Sequence, residues 1–253
     1  YAHATGYQAK ATAGKAHAEG TSTTASGTQS HAEGGNTYAY GNNSHAEGYY
    51  TYAGASSNSK HYSHAEGTYT QATGEASHAE GRGTSSNKVT ASGSQSHAEG
   101  YCSVASGNSS HAEGWSTASG DTAHSEGVDT TSSGYCSHAE GYGSIASGDG
   151  AHAEGIKRNV GTEQEPVYMG KATGYASHSE GYGCDATGFC AHAEGGQTTA
   201  SGSASHAEGD GTIAASDNQH TSGRFNISDN NNTYAEIIGN GTANNARSNA
   251  RTR

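Results

Sequence analysis

The chain alternates small or apolar residues with polar ones over five positions, and the alternation restarts after a two-residue turn. Residues 30–34, Ser-His-Ala-Glu-Gly, show the pattern: small residues take every second position, with His31 and Glu33 between them. Because side chains alternate faces along a strand, the small residues point one way and His31 and Glu33 point the other. The pattern predicts short strands, each closed by a glycine at a tight corner.

This unit repeats with a short period. A His-x-Glu-Gly segment occurs thirteen times, mostly 14 residues apart, and a looser small-x-Ala-x-Gly segment such as residues 23–27 falls halfway between two copies. Each 14-residue coil therefore consists of two half-coils. A fixed short period is the signature of a solenoid. We expect an all-β parallel β-solenoid, or β-roll, whose narrow interior is filled by Ser, Thr and Ala.

Irregular histidine spacings locate extra residues. Intervals of 19, 19 and 26 residues predict loops near residues 55–61, 83–89 and 156–171, inside a repeat region that covers residues 1–218. Insertions in a solenoid bulge from one face and are common places for recognition, although tolerated surface variation is the competing interpretation. The candidate recognition residues of the longest loop are Glu163, Glu165, Pro166 and Tyr168.

The Asn-rich stretch 219–253 predicts a C-terminal cap or transition segment, with a strand near residues 234–238 and a turn at residues 239–241. At the other end, the sequence begins inside a coil without an initiator Met, so we expect it to be part of a longer chain.

Composition and charge narrow the functional classes. Hydrophobic residues make up only 30% and Gly numbers 39, which is typical of disorder, but strict periodicity argues against a disordered linker. The net charge of -12, with no basic stripe, argues against nucleic-acid binding. No apolar run is long enough to span a bilayer, and no signal peptide precedes the repeats.

Cys102, Cys136, Cys184 and Cys190 fit neither a metal spacing nor a disulfide framework, which predicts free thiols and assembly in a reducing compartment.

The outward face of the His half-coil is nearly constant, whereas the outward face of the other half-coil varies, for example Thr24, Tyr38 and Gln71. Solvent permits variation, so we interpret the constant face as a subunit interface around a symmetry axis. The predicted axial and assembly residues are His17, Glu19, His31, Glu33, His45, Glu47, His64, Glu66, His78, Glu80, His97, Glu99, His111, Glu113, His124, Glu126, His138, Glu140, His152, Glu154, His178, Glu180, His192, Glu194, His206 and Glu208.

Three chemical roles compete for these residues. Hydrogen bonding between His and Glu is favoured. If this pairing raises the His pKa, its contribution to stability is complete below the unfolded-state pKa of ~6.5 and fades as pH rises through the higher folded-state pKa. Symmetry-related His could also ligate a transition metal. We predict no metal site or cofactor, with an ion in one or a few axial His layers as the alternative. Catalysis is disfavoured because a motif repeated thirteen times is not a unique constellation, so we predict no catalytic residue.

Aromatic residues recur directly after the glycine of the His unit, at Tyr49, Tyr101, Trp115, Tyr142 and Tyr182, with Tyr7 in the equivalent position. We expect them to pack at a corner of the coils or between subunits. A glycan-stacking ladder is the competing functional interpretation.

The segments 96–100, Ser-His-Ala-Glu-Gly, and 90–93, Thr-Ala-Ser-Gly, resemble the 14-residue head repeat of the trimeric autotransporter adhesins, the YadA-like family. This resemblance implies a left-handed, homotrimeric β-roll. In that family the two outward positions of the inner strand are usually aliphatic and pack around the trimer axis. Here they are His and Glu, which is a departure from the family pattern.

The amino-acid sequence of the repeats is still more similar to the repeat regions of phage tail fibre and neck-appendage proteins. Residues 237–250 are similar to the run that opens the autoproteolytic intramolecular chaperone of those proteins, whose body and cleavage residues are not in this sequence. The resemblance implies a viral structural protein that contacts other tail or fibre proteins and a host-surface glycan or protein. It also implies location in the virion after assembly in the host cytoplasm, with no membrane insertion.

Two alternatives stay open. A bacterial cell-surface adhesin has the same repeats, and a C-terminal membrane barrel in the full-length gene would indicate it. A polysaccharide depolymerase would use paired carboxylates, for which Glu163 and Glu165 are the candidates. Our expectation is that the protein is not an enzyme, with self-cleavage confined to a chaperone beyond this sequence.

Overall fold

A computed structural model describes residues 1–55, 61–156 and 170–250. The described residues form 28 β-strands joined by turns, without a helix. The chain divides into two compact units, Tyr1–Glu126 and Gly127–Arg253. Each unit is a stack of coils of the predicted kind and is described by itself.

The strands of the first unit are β1 (His3–Tyr7), β2 (Lys10–Ala11), β3 (His17–Thr21), β4 (Thr24–Ala25), β5 (His31–Gly35), β6 (Tyr38–Ala39), β7 (His45–Tyr49), β8 (Tyr52–Ala53), β9 (His64–Thr68), β10 (Thr70–Ala72), β11 (His78–Arg82), β12 (Val89–Ala91), β13 (His97–Tyr101), β14 (Val104–Ala105) and β15 (His111–Ala118). The next strand, β16 (His124–Ser132), contains the boundary between the units. The strands that follow are β17 (His138–Tyr142), β18 (Ile145–Ala146), β19 (His152–Ile156), β20 (Lys171–Ala172), β21 (His178–Tyr182), β22 (Asp185–Ala186), β23 (His192–Gly196), β24 (Thr199–Ala200), β25 (His206–Asp210), β26 (Ile213–Ala214), β27 (His220–Arg224) and β28 (Glu236–Asn240).

All ladders between coils are parallel and join equivalent residues. In the His sheet, His31 pairs with His45 and Glu33 with Glu47. In the second sheet, built from the two- and three-residue strands, Tyr38 pairs with Tyr52. Each coil thus adds one strand to each of two sheets, which confirms the predicted parallel β-solenoid with coils of about 14 residues.

The interior is built from small side chains, as predicted. The Ala of each half-coil is fully buried, for example Ala32 and Ala39, and Ser and Thr columns lie beside them. These hydroxyls bond to the corners: the Ser30 Oγ donates to the Gly27 carbonyl at 2.7 Å. Dispersion and backbone ladders therefore replace the large apolar side chains of an ordinary core.

The two glycines of a coil serve different needs. Gly34, which closes the His half-coil, has a φ of +110°, and a Cβ there would lie 2.1 Å from the Gly48 carbonyl oxygen. Gly27, which closes the other half-coil, lacks the positive φ, but a Cβ there would lie 1.9 Å from the Gly41 carbonyl oxygen. Both glycines are required because consecutive backbones approach more closely than any side chain allows.

A second left-handed position recurs about every seven residues on residues that are not glycine. Gln29 has a φ of 59° and Asn36 a φ of 56°. Their N–H groups donate to carbonyls of the preceding coil, Gln29 to Gly14 at 3.0 Å and Asn36 to Thr21 at 2.9 Å. The sequence did not indicate these positions, because Gln, Ser, Tyr, Cys and Ala occupy them as readily as Asn. The hydrogen bond between coils offsets the cost of the left-handed backbone.

Two irregular coils are described in full. Residues 83–88, where the histidine spacing places an insertion at 83–89, form a loop between β11 and β12, closed by the Thr84 N–H donating to the Asn87 carbonyl at 2.6 Å. The coil that is one residue short runs straight through its corner as the eight-residue strand β15. The other insertions fall largely on residues 56–60 and 157–169, outside the described residues, and so do Glu163, Glu165, Pro166 and Tyr168.

The C-terminal segment continues the His sheet further than expected. Strand β28 pairs in parallel with β27, aligning Glu236 with His220 and Ile237 with Thr221. The turn expected at residues 239–241 was wrong in part, because Gly239 and Asn240 belong to β28 and occupy the register of Gly223 and Arg224. Buried Ile237 takes the place of the interior Ala. The proposed boundary between residues 218 and 219 stays a prediction.

The width of the interior predicts how it tolerates substitution. Ala98→Leu would add three carbons to a fully buried column, and we expect it to lower the free energy of unfolding by roughly 1–3 kcal/mol in urea denaturation. Ala98→Ser is the matched control. Ser179 fills the equivalent place in another coil and donates to the Cys184 carbonyl at 2.6 Å, so this change should cost much less. Equal losses in both variants would contradict a size limit.

Candidate functional site

The predicted axial residues form one outward-facing strip in each unit. Because equivalent residues share a register, the imidazoles stack: the rings of His31 and His45 have centroids 4.9 Å apart and planes 6° apart. The stack joins His17 to His124 in the first unit and His138 to His220 in the second. The His side chains are half-buried, from 34% exposed at His192 to 42% at His220. We call each strip of stacked His and adjoining Glu the His–Glu ladder.

Each ladder pairs imidazole with carboxylate. The His31 Nε2 lies 3.8 Å from a Glu33 carboxylate oxygen, and toward the C-terminus some rings approach the preceding coil, as His206 does to Glu194 at 3.4 Å. The His31 and His206 Nε2 atoms are shielded from solvent and form no hydrogen bond with a described residue. Within one chain each imidazole therefore lies near a carboxylate without a hydrogen bond to it, and the contact is an ion pair only when the ring is protonated.

The direction of the histidine pKa shifts is opposite to the sequence-based hypothesis. The pKa of His45, His78, His178 and His192 is lowered, first by burial and then by the neighbouring imidazoles of the stack. The carboxylates raise these pKa values, but by less. Each ring has another ring about one strand spacing away on either side, so protonating one disfavours protonating the next. These four imidazoles are consequently mainly neutral near pH 7.

The carboxylates form a second column beside the glycine backbone. Glu66, Glu80, Glu99 and Glu113 line an open furrow of about 520 Å³ in the first unit. Burial and the adjacent Glu80 raise the pKa of Glu99. In the second unit, interaction between neighbouring carboxylates raises the pKa of Glu194 and lowers that of Glu180, as expected when stacked carboxylates share a proton.

The ladder provides ligand atoms for metal ions, but their directions do not converge. The ligand atoms of His178, Glu180 and His192 lie within 4.8 Å of one another. A tetrahedral zinc ion with bonds of ~2.1 Å would need them about 3.4 Å apart. The two rings are parallel within 3° and stacked 4.7 Å apart, so their nitrogens point side by side. An ion here would need rearrangement or ligands from another chain.

The opposite outward face carries aromatic and polar groups. Of the aromatic residues after the glycine, Tyr49, Tyr101 and Trp115 are exposed, with Trp115 51% and Tyr101 42% exposed, whereas Tyr142 and Tyr182 are half-buried. On the short strands, Tyr38 and Tyr52 stack with centroids 4.8 Å apart. The loop at residues 83–88 stands over this face and borders an open groove of about 620 Å³. The 19-residue interval located this loop, but nothing in the pattern indicated a groove.

The structure describes all four cysteines. All four cysteines are free; Cys102 and Cys184 are buried, and Cys136 and Cys190 are exposed. Burial raises the pKa of Cys184. Within the described part of the chain, no helix has the length and apolar character needed to cross a bilayer.

Comparison with known proteins assigns no family to the chain. No protein family model matches the chain, and no curated protein matches it significantly. The function must therefore be argued from the solenoid and its two outward faces.

Proposed function

We propose that this protein is a structural and receptor-binding fibre protein, a rigid homotrimeric shaft or tip of a phage tail or phage-tail-like particle that contacts the host surface. In this proposal the coils are left-handed and the His–Glu ladders of three chains surround a common axis. The fibre proteins whose repeats this sequence resembles have that role, and a parallel solenoid suits it because every coil is tied to its neighbours by backbone hydrogen bonds.

One observation supports the proposal most: among the residues that the structure describes, the outward face that repeats the same residues in coil after coil is the His–Glu ladder. An outward face in contact with water tolerates change, as the row Tyr52, Gln71 and Thr90 does. A half-buried strip of imidazoles flanked by carboxylates has lost part of its hydration, which costs free energy unless other polar groups contact the strip. Contact with other copies of the strip gives each coil the same environment and so selects the same residues.

The test is the mass of the purified chain in solution. We expect sedimentation equilibrium to give three times the chain mass of 25.5 kDa. A fourfold charge reversal on the ladder should reduce the mass to that of one chain, through the changes Glu19→Lys, Glu33→Lys, Glu47→Lys and Glu66→Lys. The control introduces four lysines on the outward row of the short strands, which changes the charge by +4 rather than +8, and it should leave the trimer intact, through Thr24→Lys, Tyr38→Lys, Tyr52→Lys and Gln71→Lys.

Circular dichroism should show the same strand content in both variants. A wild-type mass of one chain, or dissociation by the control set alone, would contradict assembly through the ladder. The full-length gene then separates the two kinds of fibre: neighbouring tail genes support a phage particle, and a C-terminal membrane barrel supports a cell-surface adhesin.

A further inference from the structure

The groove on the first unit is built by the insertion at residues 83–88. Its floor is the outward row of the short strands, where Gln71 pairs with Thr90 and Thr90 with Val104. The loop forms a wall and is fixed at both ends of its turn: the Asn87 N–H donates to the Thr84 Oγ1 at 2.9 Å. The volume of about 620 Å³ lies in the ~300–1,000 Å³ range of small-ligand sites.

A residue of the next coil also holds the loop. The Cys102 Sγ donates to the Asn87 carbonyl at 3.2 Å, and Cys102 is buried in the next coil. A wall fixed by a turn and by the neighbouring coil keeps its backbone in place before a ligand arrives. Preorganisation of this kind lowers the entropic cost of binding.

The groove presents hydrogen-bonding groups without partners. The side-chain amides of Gln71 and Asn87 and the hydroxyls of Ser85 and Ser86 form no hydrogen bond with any described residue. Amides and hydroxyls each offer both donors and acceptors. This mixture matches a ligand rich in hydroxyl groups rather than an apolar one.

An aromatic ring borders the same groove. Trp115 is 51% exposed, and Tyr101 packs edge-on against it with ring centroids 5.6 Å apart, which fixes the orientation of the indole. An exposed, immobilised indole offers a flat apolar surface beside polar groups. The C–H face of a pyranose ring is complementary to such a surface.

The groove also holds an unpaired positive charge. The Lys88 Nζ lies 5.4 Å from the centre of the Tyr52 ring and forms no ion pair with any described residue. The chain as a whole carries a net charge of -12, so a cation placed between neutral amides and hydroxyls is a specific feature of this site. A carboxylate on the ligand would complete a charge-assisted hydrogen bond.

We propose that this groove binds an acidic oligosaccharide, with Lys88 binding a sugar carboxylate, Gln71, Asn87 and the loop serines bonding to hydroxyls, and Trp115 packing against a sugar ring. The proposal rests on the proposed function, because it names the ligand class that a receptor-binding fibre would recognise. It assigns recognition to the insertion at residues 83–88 and the indole beside it.

The test uses an array of carboxylated oligosaccharides, comprising oligogalacturonate, hyaluronan and oligosialic acid fragments, each beside its carboxyl-reduced form. We expect the purified protein to bind at least one carboxylated member and to bind its reduced form about tenfold more weakly. Lys88→Gln and Trp115→Ala should each weaken binding about tenfold. The matched control Lys10→Gln changes an exposed lysine on the same outward row, which pairs with Thr24, and should bind as the wild type does.

Unchanged strand content by circular dichroism shows that the variants are folded. Failure to bind every carboxylated member, equal binding of the reduced forms, or unchanged binding in both groove variants would overturn the proposal. The proposed function fails separately. A single-chain mass with intact sugar binding removes the trimeric fibre and keeps the groove, whereas a three-chain mass without sugar binding removes only the groove.

Discussion

Gly34→Ala is expected to unfold the coils around residue 34 and to lower the free energy of unfolding by about 3 kcal/mol or more. Two costs combine at this position. The φ of +110° is a conformation that alanine rarely adopts, and the new Cβ would lie 2.1 Å from the Gly48 carbonyl oxygen of the next coil. That oxygen belongs to the backbone of the His sheet, so relief requires the two coils to separate and their hydrogen bonds to lengthen.

Urea denaturation followed by circular dichroism measures this loss. Gly14→Ala is the matched control, because Gly14 lacks the left-handed φ and a Cβ there would meet no atom within 4 Å. The control should be neutral or stabilise the protein by about 0.4–1 kcal/mol, since alanine restricts the unfolded chain. If Gly34→Ala were as stable as the control, the close approach of the coils would be disproved.

Acidification from pH 7 to pH 5 is expected to lower the melting temperature, because the four histidines with a lowered pKa respond together. The folded-state pKa of His45, His78, His178 and His192 lies below the ordinary value of 6.5. The unfolded chain therefore binds more protons than the folded chain as pH falls below about 6.5, and stability falls with it. The loss continues until pH passes the lower folded-state pKa values. Above about pH 7 these four imidazoles are mainly neutral in both states and add little pH dependence.

Thermal melts recorded by circular dichroism at half-unit steps from pH 5 to pH 8 measure this dependence. Replacing His45 and His78 by Gln should shallow the slope between pH 5 and pH 6.5, because two proton-binding differences are removed. A melting temperature that stayed level or increased on acidification would instead mean that the carboxylates Glu33 and Glu47 dominate over burial and ring repulsion. That outcome would support the hypothesis that pairing with Glu raises the histidine pKa in the folded protein.

The sequence indicated the repeating part of the architecture because periodicity reports an average environment. The alternation around Ala32 identified the interior face, and the glycine after Glu33 identified a corner. The spacing of the histidines located the loop at residues 83–88. Local features of single coils escaped the pattern, such as the straight corner in β15 and the extension of the sheet into β28.

The candidate sites were likewise predictable from the sequence only in part. The members of the His–Glu ladder were predicted residue by residue, since they are the repeat itself. The sign of the histidine pKa shift was not predicted, because burial and then the adjacent rings outweigh the carboxylates, and both depend on how the coils stack. The groove beside Lys88 and Trp115 was not predicted either, since its lining residues come from consecutive coils and span more than 40 residues of sequence.

By itself, the sequence determined the solenoid, its coil length, its small-residue interior and the identity of its constant face. These follow from one-dimensional order: a residue type that recurs at a fixed interval in a stacked fold must recur in the same place. Only the tertiary structure decided how closely the coils approach, which non-glycine residues turn left-handed, how the stacked imidazoles titrate and where a groove opens. Each of these depends on distances between neighbouring coils, and the backbone hydrogen bonds of the two sheets set those distances.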